Sequence, residues 1–425
     1  MRKKFSLILG AAALTAAVPL LAQPRGDEPI AVPSSIKQGV DFVYVDPDMS
    51  SVAIKQRRPR NWLQRVFGGS RDDNRSAPNP MFLQLSDGLA QYESTWGSLP
   101  QNKVAAGGSL KVGSSGARVN QLRTRLGLAP GGGFDQALKQ RVMDYQAVHA
   151  LDADGIAGRA TIASLNQGAE FYEKKIAINM ERAWRLPATR AFDRYVIIDS
   201  GSAEAYLFDR DRMADSMRVV VGTNTTKTPM MAVLMHNAKA NPYWHVPPAL
   251  VRSLTAKRIQ EQGLQYLRDF HYEVLSDWRY DAPPLDPKTV NWASIANGRA
   301  EPNFMVRQLP GPWNSMGAMK FEMPNDYGIY LHDTPHKELF AQDERHLSNG
   351  CVRLEDYRRF ASWVFGRMPQ VTSAPEQILD LPKPVPVYMT YLTAEPSPGN
   401  GVVFRPDPYG FDALAMPQMD FGRRS

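Results

Sequence analysis

The sequence is short of two things, cysteine and long apolar segments. Its 425 residues contain one cysteine, Cys351, so no disulfide can form within the chain. An oxidising compartment usually favours paired cysteines or none, so the lone thiol is either a packed, inert side chain or a functional group. After the first 22 residues no run approaches the roughly 18 uninterrupted apolar residues of a membrane-spanning helix. This predicts a soluble mature protein without stable membrane insertion.

The N-terminal segment has the pattern of a signal peptide. Basic residues at positions 2–4 precede an apolar stretch from Phe5 to Leu21, and a polar segment follows Ala22. An uncleaved membrane anchor is the alternative, but Pro19 interrupts the stretch, which is also short for a bilayer. No cysteine near residue 22 offers a site for lipid attachment. We therefore expect residues 1–22 to be a signal peptide and the mature protein to be exported.

The net charge of +7 is compatible with more than one anionic partner. Export argues against nucleic acid and favours a cell-wall polymer. The basic run at residues 55–60, followed by Trp62, is either a solvated linker or a contact for a membrane or for the wall. Charge alone does not separate these partners.

Composition and periodicity divide the first half of the chain. Residues 23–80 lack sustained periodicity and predict a disordered tether with one short strand at 41–45. Apolar positions spaced as on a helix face predict helices within residues 81–106 and 167–189. We expect these two segments to pair as a helical scaffold.

A compact module is predicted between them, at residues 107–166. Val119 and Leu122 share one helical face, a run of three glycines leads to a second helix, and an Asp-Gly turn leads to a third. The stretch resembles the peptidoglycan-binding domain that accompanies many wall enzymes. The matching residues are Leu110, Val112, Gly113, Val119, Leu122, Leu126, Phe134, Asp135, Val142, Gln146, Leu151, Asp154, Gly155, Gly158, Thr161 and Leu165.

From residue 190 the pattern changes to short strands separated by turns. Alternating apolar residues predict a mainly antiparallel sheet. Residues 251–310 interrupt it with a helical stretch and several prolines, which indicates an insertion that acts as a lid. The predicted fold class is α+β: a β-sandwich-like domain at 190–410 with a helical lid insertion, preceded by the three-helix module. A flexible tail is expected at 411–425.

The segment most informative about chemistry contains His332 and Cys351. His332 ends an apolar, strand-like run, and Cys351 follows a Ser-Asn-Gly turn in front of an expected helix at 354–368. A thiol attacks a carbonyl as the thiolate, which a helix N-terminus and a nearby imidazole both stabilise. A loop easily closes the 19 residues between the two side chains. The amides of Gly350 and Cys351 would then hold the oxyanion of an acyl-transfer intermediate.

Two other interpretations of this segment remain open. Cys351 is a structural residue of a capping turn if His332 merely packs beneath it. A zinc site is the second alternative, since His332, His336 and His346 cluster in the sequence and the first two have a helical spacing. Pro335 lies between those two and argues against the helix that would align their rings.

These residues resemble the L,D-transpeptidase catalytic domain, whose motif is a His on a strand followed, after a loop, by Ser/Thr-His-Gly-Cys. The resemblance covers about residues 190–410, including the insertion of the large periplasmic members. Asn349 stands where the motif has its second His, which removes an imidazole from the oxyanion side. The general base of the family is the earlier His, so that role falls on His332. Further matches are Val221–Gly222, Thr228–Pro229, Asn241–Pro247, Gly311–Pro312, Asn314 and Gly317–Phe321.

The resemblance also assigns roles to the neighbouring residues. It implies that Cys351 is the nucleophile and that the backbone carbonyl of Asp333 orients His332. A surface salt bridge between Asp333 and Arg353 is an alternative role for that pair. The residues expected on the oxyanion and substrate side are Tyr330, Ser348, Asn349, Gly350 and Arg353.

The resemblance implies a periplasmic enzyme without cofactor or metal, whose partners are donor and acceptor stem peptides of peptidoglycan. Cys351 would release the terminal D-Ala of a donor tetrapeptide as a thioester forms, and the amine of a neighbouring stem would complete a 3-to-3 cross-link. A lipoprotein, a free D-amino acid or water (an L,D-carboxypeptidase) are alternative acceptors. A non-catalytic wall-binding scaffold is the alternative of another class. A carbapenem-type β-lactam is expected to label Cys351; the oligomeric state is not indicated.

Overall fold

The computed structural model of the chain describes residues 38–46, 49 and 78–419. Within these residues the fold is α+β, as predicted, with a helical N-terminal module ahead of a β-rich domain. The expected signal peptide at 1–22, most of the tether and its basic run at 55–60 lie outside the described residues. No helix in the described ranges combines the length and the apolar character needed to cross a membrane.

The N-terminal part is helical because capping residues and apolar faces coincide. In α1, Asn79 accepts the amide of Met81 and Pro80 occupies the first turn, both of which favour a helix start. A π-helical turn, Glu93–Gly97, extends α1, which packs against α5. The helices are α1 Pro80–Tyr92, α2 Ala117–Arg125, α3 Gln136–Val148, α4 Arg159–Gln167 and α5 Ala169–Ala183.

Helices α2, α3 and α4 enclose a small apolar core. Val119, Leu122 and Leu138 are fully buried in it. The carboxylate of Asp154 accepts the amide of Ile156 and the side-chain amide of Gln146, so the acidic segment before α4 is a turn.

The strands of the described residues belong to three sheets. The largest contains ten strands, a second is a three-stranded sheet in the insertion, and the third is a hairpin near the C-terminus. The strands are β1 Val43–Tyr44, β2 Arg194–Asp199, β3 Glu204–Asp209, β4 Arg212–Gly222, β5 Met231–Ala240, β6 Trp244–Val246, β7 Tyr272–Leu275, β8 Met305–Gln308, β9 Met319–Glu322, β10 Leu331–His332, β11 His346–Ser348, β12 Val352–Leu354, β13 Gln377–Thr390, β14 Ala394–Ser397 and β15 Gly401–Phe404.

The large sheet closes on itself. From β5 the order runs β13, β2, β3, β4, β12, β10 and β9, and β9 pairs again with β5. Most pairings are antiparallel, as predicted, whereas β13 with β2 and β10 with β12 are parallel. The closing pair makes the sheet barrel-like rather than a stack of two sheets, and it brings together strands that flank the insertion.

The insertion is a small subdomain with its own core. Strands β6, β8 and β7 form its sheet, and its buried side chains include Trp244, Trp292 and Phe304. It starts at β6, which the predicted range 251–310 leaves out. Its helices are α6 Pro248–Leu250, a π-helical turn Val251–Ala256, α7 Lys257–Gln262, α8 Gln265–Asp269, a 3₁₀ turn Pro287–Thr289 and α9 Trp292–Ala296.

Two segments predicted to be disordered are in fact packed. Residues 38–46 contribute β1, which pairs with β5, and residues 411–419 form α11 Phe411–Ala415 and a 3₁₀ turn. The buried guanidinium of Arg182 explains both, because it donates to Gly39 O (2.6 Å) and to the Asp412 carboxylate (2.7 Å). A buried charge needs such partners, so it fixes both segments against α5. The short strand predicted at 41–45 is present as β1, whereas the predictions of a disordered tether through the rest of 38–46 and of a flexible tail at 411–419 are wrong.

An aromatic cluster joins the three-helix module to the β14–β15 hairpin. His149 lies at its centre, bonded to Tyr92 Oη (2.9 Å) and to Tyr145 O (2.7 Å). Its ring also packs against Tyr172 and Phe404. Burial lowers the pKa of His149 to about 3, so the ring is neutral near pH 7.

Candidate active site

The register of β10 and β12 places the predicted site residues on one face of the sheet. These strands are parallel, with Leu331 opposite Val352, and both of those side chains are buried in the core. Because side chains alternate along a strand, their neighbours project to the other side. We call this other side the polar face. Its residues on these two strands and just before them are Tyr330, His332, Cys351 and Arg353.

His332 and Cys351 are diagonal neighbours on the polar face. His332 lies opposite Arg353, and Cys351 precedes Arg353 by two positions. Diagonal neighbours of paired strands are typically about 7–8 Å apart at Cα, a distance that an aromatic side chain can bridge. The structure thus brings the predicted imidazole and thiol to the same side of adjacent strands.

The turn before Cys351, which we call the cysteine turn (residues 348–351), is held by hydrogen bonds. Ser348 Oγ donates to Cys351 O (2.6 Å) and accepts from Gly350 N (3.1 Å). Thr223 N and Thr226 Oγ1 each donate to Ser348 O at 3.0 Å. Gly350 has φ of 113°, which glycine adopts without the steric cost that a side chain would add.

Two predictions about the cysteine turn are wrong. Strand β12 follows Cys351, and the next helix, α10, spans Tyr357–Phe365, so no helix N-terminus faces the thiol. The Gly350 amide donates to Ser348 and is not offered to an oxyanion. The amide of Cys351, by contrast, has no acceptor in the described part of the chain. Asn349 is exposed at the tip of the turn.

His332 is buried in a defined orientation. Its Nδ1 lies 2.6 Å from the backbone carbonyl of Asp333, the contact that the resemblance implies. A carbonyl only accepts, so Nδ1 carries the proton and Nε2 of the neutral ring keeps its lone pair. Burial and, secondarily, the charge of Arg353 lower the pKa of His332 to about 3. Near neutral pH the ring is therefore uncharged and able to accept a proton at Nε2.

The Cys351 thiol is half-buried and is bonded to a backbone carbonyl instead of the imidazole. Its Sγ donates to Gly328 O at 3.6 Å, and no hydrogen bond joins it to His332 within the described residues. Burial raises its pKa, an effect that the Tyr330 amide and the charges of Lys320 and Arg353 only partly offset. Burial therefore favours the neutral form of both groups, the thiol and the imidazole.

Arg353 and Asp333 do not form the salt bridge considered as an alternative. Asp333 is only 6% exposed, and its carboxylate accepts from the Ala318 amide and from Lys337 Nζ, both at 2.8 Å. Arg353 makes no ion pair with any described residue, and its Nε is buried without a hydrogen-bond partner. Burial lowers its pKa, and the largest opposing effect is the nearby Cys351. A cationic group therefore lies beside the thiol without a direct ion pair, and Glu338 acts on it only at longer range.

Other charged residues share the polar face, and sequence reasoning gave them no role. Lys320 lies opposite His332 on β9, and its Nζ is 3.8 Å from the centre of the Tyr330 ring and 3.1 Å from Glu322. Tyr330 in turn packs against the core of the insertion, which therefore covers this face. The alternation of Lys320 and Glu322 around buried Phe321 is the sequence signal that identifies them.

The three histidines of the zinc alternative do not converge. His336 is exposed beside Glu338, and His346 is bonded to Glu344 and to Ser200 O. Within the described ranges no three His, Cys, Asp or Glu side chains are placed to hold a metal ion. The zinc interpretation has no geometric basis in this part of the chain.

Comparison with known families gives two matches. Residues 193–375 match the family model YkuD, described as "L,D-transpeptidase catalytic domain", and residues 118–165 match PG_binding_1, described as "Putative peptidoglycan binding domain". The first range contains His332 and Cys351, and the second contains α2, α3 and most of α4.

Relatives and solved structures give further similarities. A Haemophilus influenzae protein named "Putative L,D-transpeptidase" is 33% identical over 253 residues, which is 56% of this chain and 48% of the relative, so the chain spans about half of its length. An L,D-transpeptidase structure from Mycobacterium smegmatis is 12% identical, with a TM-score of 0.23 and 46% and 58% of the two chains covered. One from Xylanimonas cellulosilytica is 14% identical, with a TM-score of 0.23 and coverages of 67% and 98%. By the two family matches, residues 193–375 are similar to the L,D-transpeptidase catalytic domain, and residues 118–165 are similar to a peptidoglycan-binding domain.

Proposed function

We propose that the chain is a periplasmic L,D-transpeptidase that forms 3-to-3 cross-links in peptidoglycan through a thioester on Cys351. The observation that carries the proposal is the position of the one thiol on the same face as a neutral histidine whose Nε2 carries the lone pair of a base. The match of this region to the L,D-transpeptidase catalytic domain supplies the reaction class.

In the first half-reaction the acyl group of the donor stem is transferred to Cys351 Sγ. The thiol turns from Gly328 O towards His332 and gives its proton to Nε2 while Sγ bonds to the carbonyl carbon that precedes the terminal D-Ala. The Cys351 amide donates to the resulting oxyanion. The intermediate collapses, the C–N bond breaks, His332 returns the proton to the departing amine, and D-Ala leaves a thioester behind.

In the second half-reaction an amine of a neighbouring stem replaces the sulfur. The amine nitrogen bonds to the thioester carbon and loses a proton to His332 Nε2 as the C–S bond breaks. The thiolate of Cys351 then takes that proton back, so the enzyme is regenerated. Water in place of the amine would give hydrolysis, which is why cover by the insertion matters for the outcome.

Arg353 is proposed to bind a carboxylate of the donor stem. Its guanidinium lies beside the thiol without an anionic partner among the described residues, and a half-buried cation gains most from a planar, two-point partner. The terminal carboxylate of D-Ala is planar and offers two oxygens. It is attached to the same Cα as the nitrogen of the scissile amide. Binding would satisfy the orphaned Nε and place the carbonyl near Sγ.

Two other parts of the chain are consistent with a function in the cell wall. The module that contains α2, α3 and α4 would hold peptidoglycan, consistent with its family match. Export by the N-terminal segment would bring the protein to the periplasm, where the substrate is found. Stem peptides, donor and acceptor, are its proposed partners.

The experiment that tests the proposal compares wild type with Cys351→Ala on purified muropeptides, with the products weighed by mass spectrometry. Wild type is expected to release D-Ala and form cross-linked dimers, whereas the variant forms neither. Trimmed tripeptides alone would make the protein a carboxypeptidase, attachment of a lipoprotein peptide would change the acceptor, and unchanged stems would leave a binding scaffold.

Covalent labelling gives an independent measurement. A carbapenem-type β-lactam opens its ring as Sγ bonds to the lactam carbon and the C–N bond breaks, so its whole mass is added to the protein. We expect one adduct on wild type, mapped to Cys351. Labelling that persists in Cys351→Ala contradicts the assignment of the nucleophile.

A further inference from the structure

The carbonyl of Gly350 is held from behind the cysteine turn by Thr228. Thr228 Oγ1 donates to Gly350 O at 2.7 Å and accepts from Gly222 N at 2.9 Å. The Thr228 side chain is fully buried, so water does not compete for these bonds. Sequence reasoning quoted Thr228 as a family match but gave it no role.

This bond fixes the direction of one amide in the site. Gly350 O and the Cys351 N–H belong to the same peptide unit, which is planar and trans, so they point in opposite directions. A donor bound to Gly350 O therefore aims the Cys351 amide away from Thr228. Because Gly350 N is engaged by Ser348, the amide of Cys351 itself is the donor nearest to the thiol that has no acceptor among the described residues.

Thr228 is itself held from two sides. The Thr228 amide donates to Tyr409 Oη (3.3 Å). The Tyr409 hydroxyl in turn donates to Gly222 O (2.6 Å). A Cβ on Gly222 would lie 2.0 Å from Thr226 O, so only glycine allows the loop to approach this closely. The C-terminal segment thus braces the loop, and the loop braces the cysteine turn.

We infer that Thr228 is a positioning residue that aims the Cys351 amide at the oxyanion of the acyl-transfer intermediate. The inference rests on the proposed function, since an oxyanion forms only if Cys351 attacks a carbonyl. Its physical basis is that a donor contributes most to catalysis when it is oriented before charge develops. Thr228 does this through Gly350 and touches no substrate.

Two reactions of the Cys351 thiol distinguish a purely structural role of Thr228 from this positioning role. Acylation by a β-lactam develops an oxyanion at the lactam carbonyl. Alkylation by iodoacetamide forms the Sγ–C bond as the C–I bond breaks and iodide leaves, with no oxyanion. A residue that only maintains the fold affects both reactions of the thiol, whereas one that aims the amide affects acylation alone.

The test measures both rates by intact-protein mass spectrometry at one pH, for wild type and Thr228→Val. The valine keeps the shape and removes the hydroxyl. We expect acylation by a carbapenem to slow about 10- to 100-fold, a fraction of the roughly 10²–10³-fold cost of deleting an oxyanion donor, and alkylation to stay within about twofold. Thr228→Ser, which keeps the hydroxyl, is expected to restore acylation to within about threefold.

Two further variants complete the design. Tyr409→Phe removes the hydroxyl that braces Thr228. We expect acylation to slow selectively again, but only about three- to tenfold. This variant keeps the test valid if Thr228→Val does not fold. Thr225→Val is the matched control, because Thr225 is an exposed residue of the same loop whose hydroxyl contacts only Thr223. It is expected to change neither rate.

The outcomes separate the two claims. Equal slowing of both reactions in Thr228→Val and Tyr409→Phe, or no slowing of either, overturns the positioning role and leaves the proposed nucleophile intact. If wild type is alkylated but never acylated, the proposed function fails and the positioning role falls with it. Selective loss of acylation that serine rescues supports the inference.

Discussion

The two faces of the β9–β10–β12 segment have opposite chemistry. One face is apolar, fully buried and packed on α10, for example through Phe321 against Phe360 with ring centres 4.7 Å apart. The polar face carries cations, a carboxylate, an imidazole and the thiol, under the cover of the insertion. The residues of the apolar face are Met319, Phe321, Leu331, Val352 and Leu354, and those of the polar face are Lys320, Glu322, Tyr330, His332, Cys351 and Arg353.

Strand alternation thus separates the residues that stabilise the fold from the residues that are available for chemistry. Burying polar groups that lack full hydrogen bonding costs free energy, and the orphaned Nε of Arg353 is such a group. An arrangement selected for stability alone would make this face apolar. Substitutions on the two faces are therefore expected to have different effects, activity on one side and stability on the other.

The largest effect is expected at His332. His332→Gln removes the base while keeping a polar side chain, and kcat/KM for cross-linking should fall about 10²- to 10⁴-fold. The urea midpoint of unfolding should change little. His336→Gln is the matched control, since that ring is exposed beside Glu338, and it should leave kcat/KM unchanged. Equal losses in both variants would contradict the role of His332.

On the apolar face Phe321→Ala should lower the free energy of unfolding by about 3–5 kcal/mol, because a buried ring is replaced by a cavity. Urea unfolding at pH 7 measures it. Activity per folded molecule should stay within about threefold, and Phe321→Leu should lose less stability. A large loss of activity at wild-type stability would break the comparison between the faces.

Arg353→Gln should separate substrate binding from stability on the polar face. We expect KM for the donor stem to rise about 10- to 100-fold, the order of a charge-assisted bond of about 1.5–3 kcal/mol. Stability should be unchanged or slightly higher, since an incompletely paired buried cation is removed. Arg358→Gln, in an exposed position of α10, is the control. A drop in stability without a change in KM would assign Arg353 to the fold instead.

The smallest effect is a pH dependence of stability. The pKa of His332 is lowered by burial to about 3 in the folded protein, so the unfolded chain binds more protons between about pH 6.5 and pH 3. Stability is thus present above that window and declines as pH falls through it, by up to about 1.4 kcal/mol per pH unit for each such histidine. His149 and His245 behave alike, with pKa values lowered to about 3 and about 4.

The measurement is the free energy of unfolding by urea at pH 7, 6 and 5. His332→Gln should reduce the pH slope without abolishing it, because two other histidines with lowered pKa values, His149 and His245, remain. A slope identical to wild type would mean that His332 is already protonated in the fold or equally basic in both states.

Much of the fold was accessible to sequence reasoning. Alternation predicted the strands that carry Tyr195 and Val219, and the thiol and imidazole were paired although 19 residues separate them. The helix expected at 354–368 is present as α10, but the short strand β12 in front of it was missed, because Val352 and Leu354 fit a strand or the first turn of a helix equally well. Only pairing with β4 and β10 decides between them, and pairing is a long-range property.

The other errors have the same origin. The segments at 38–46 and 411–419 lack periodicity, so their order depends on Arg182, more than a hundred residues from either. The protonation state of the Cys351 thiol could not be predicted from the sequence either. Its pKa is raised by burial, which no local sequence pattern indicates. Local patterns predicted which residues share this part of the sheet, but not how each is bonded.

The clasp formed by His149 and its aromatic neighbours has a consequence for how the protein would work on a polymer. It fastens the peptidoglycan-binding module to the hairpin that follows the last strand of the barrel, with no slack segment between the two. When that module is bound to the wall, the Cys351 thiol would therefore lie at a fixed distance and in a fixed direction from the binding point. If the proposed function holds, the position of a stem peptide relative to the bound module would then contribute to its selection, in addition to its chemistry.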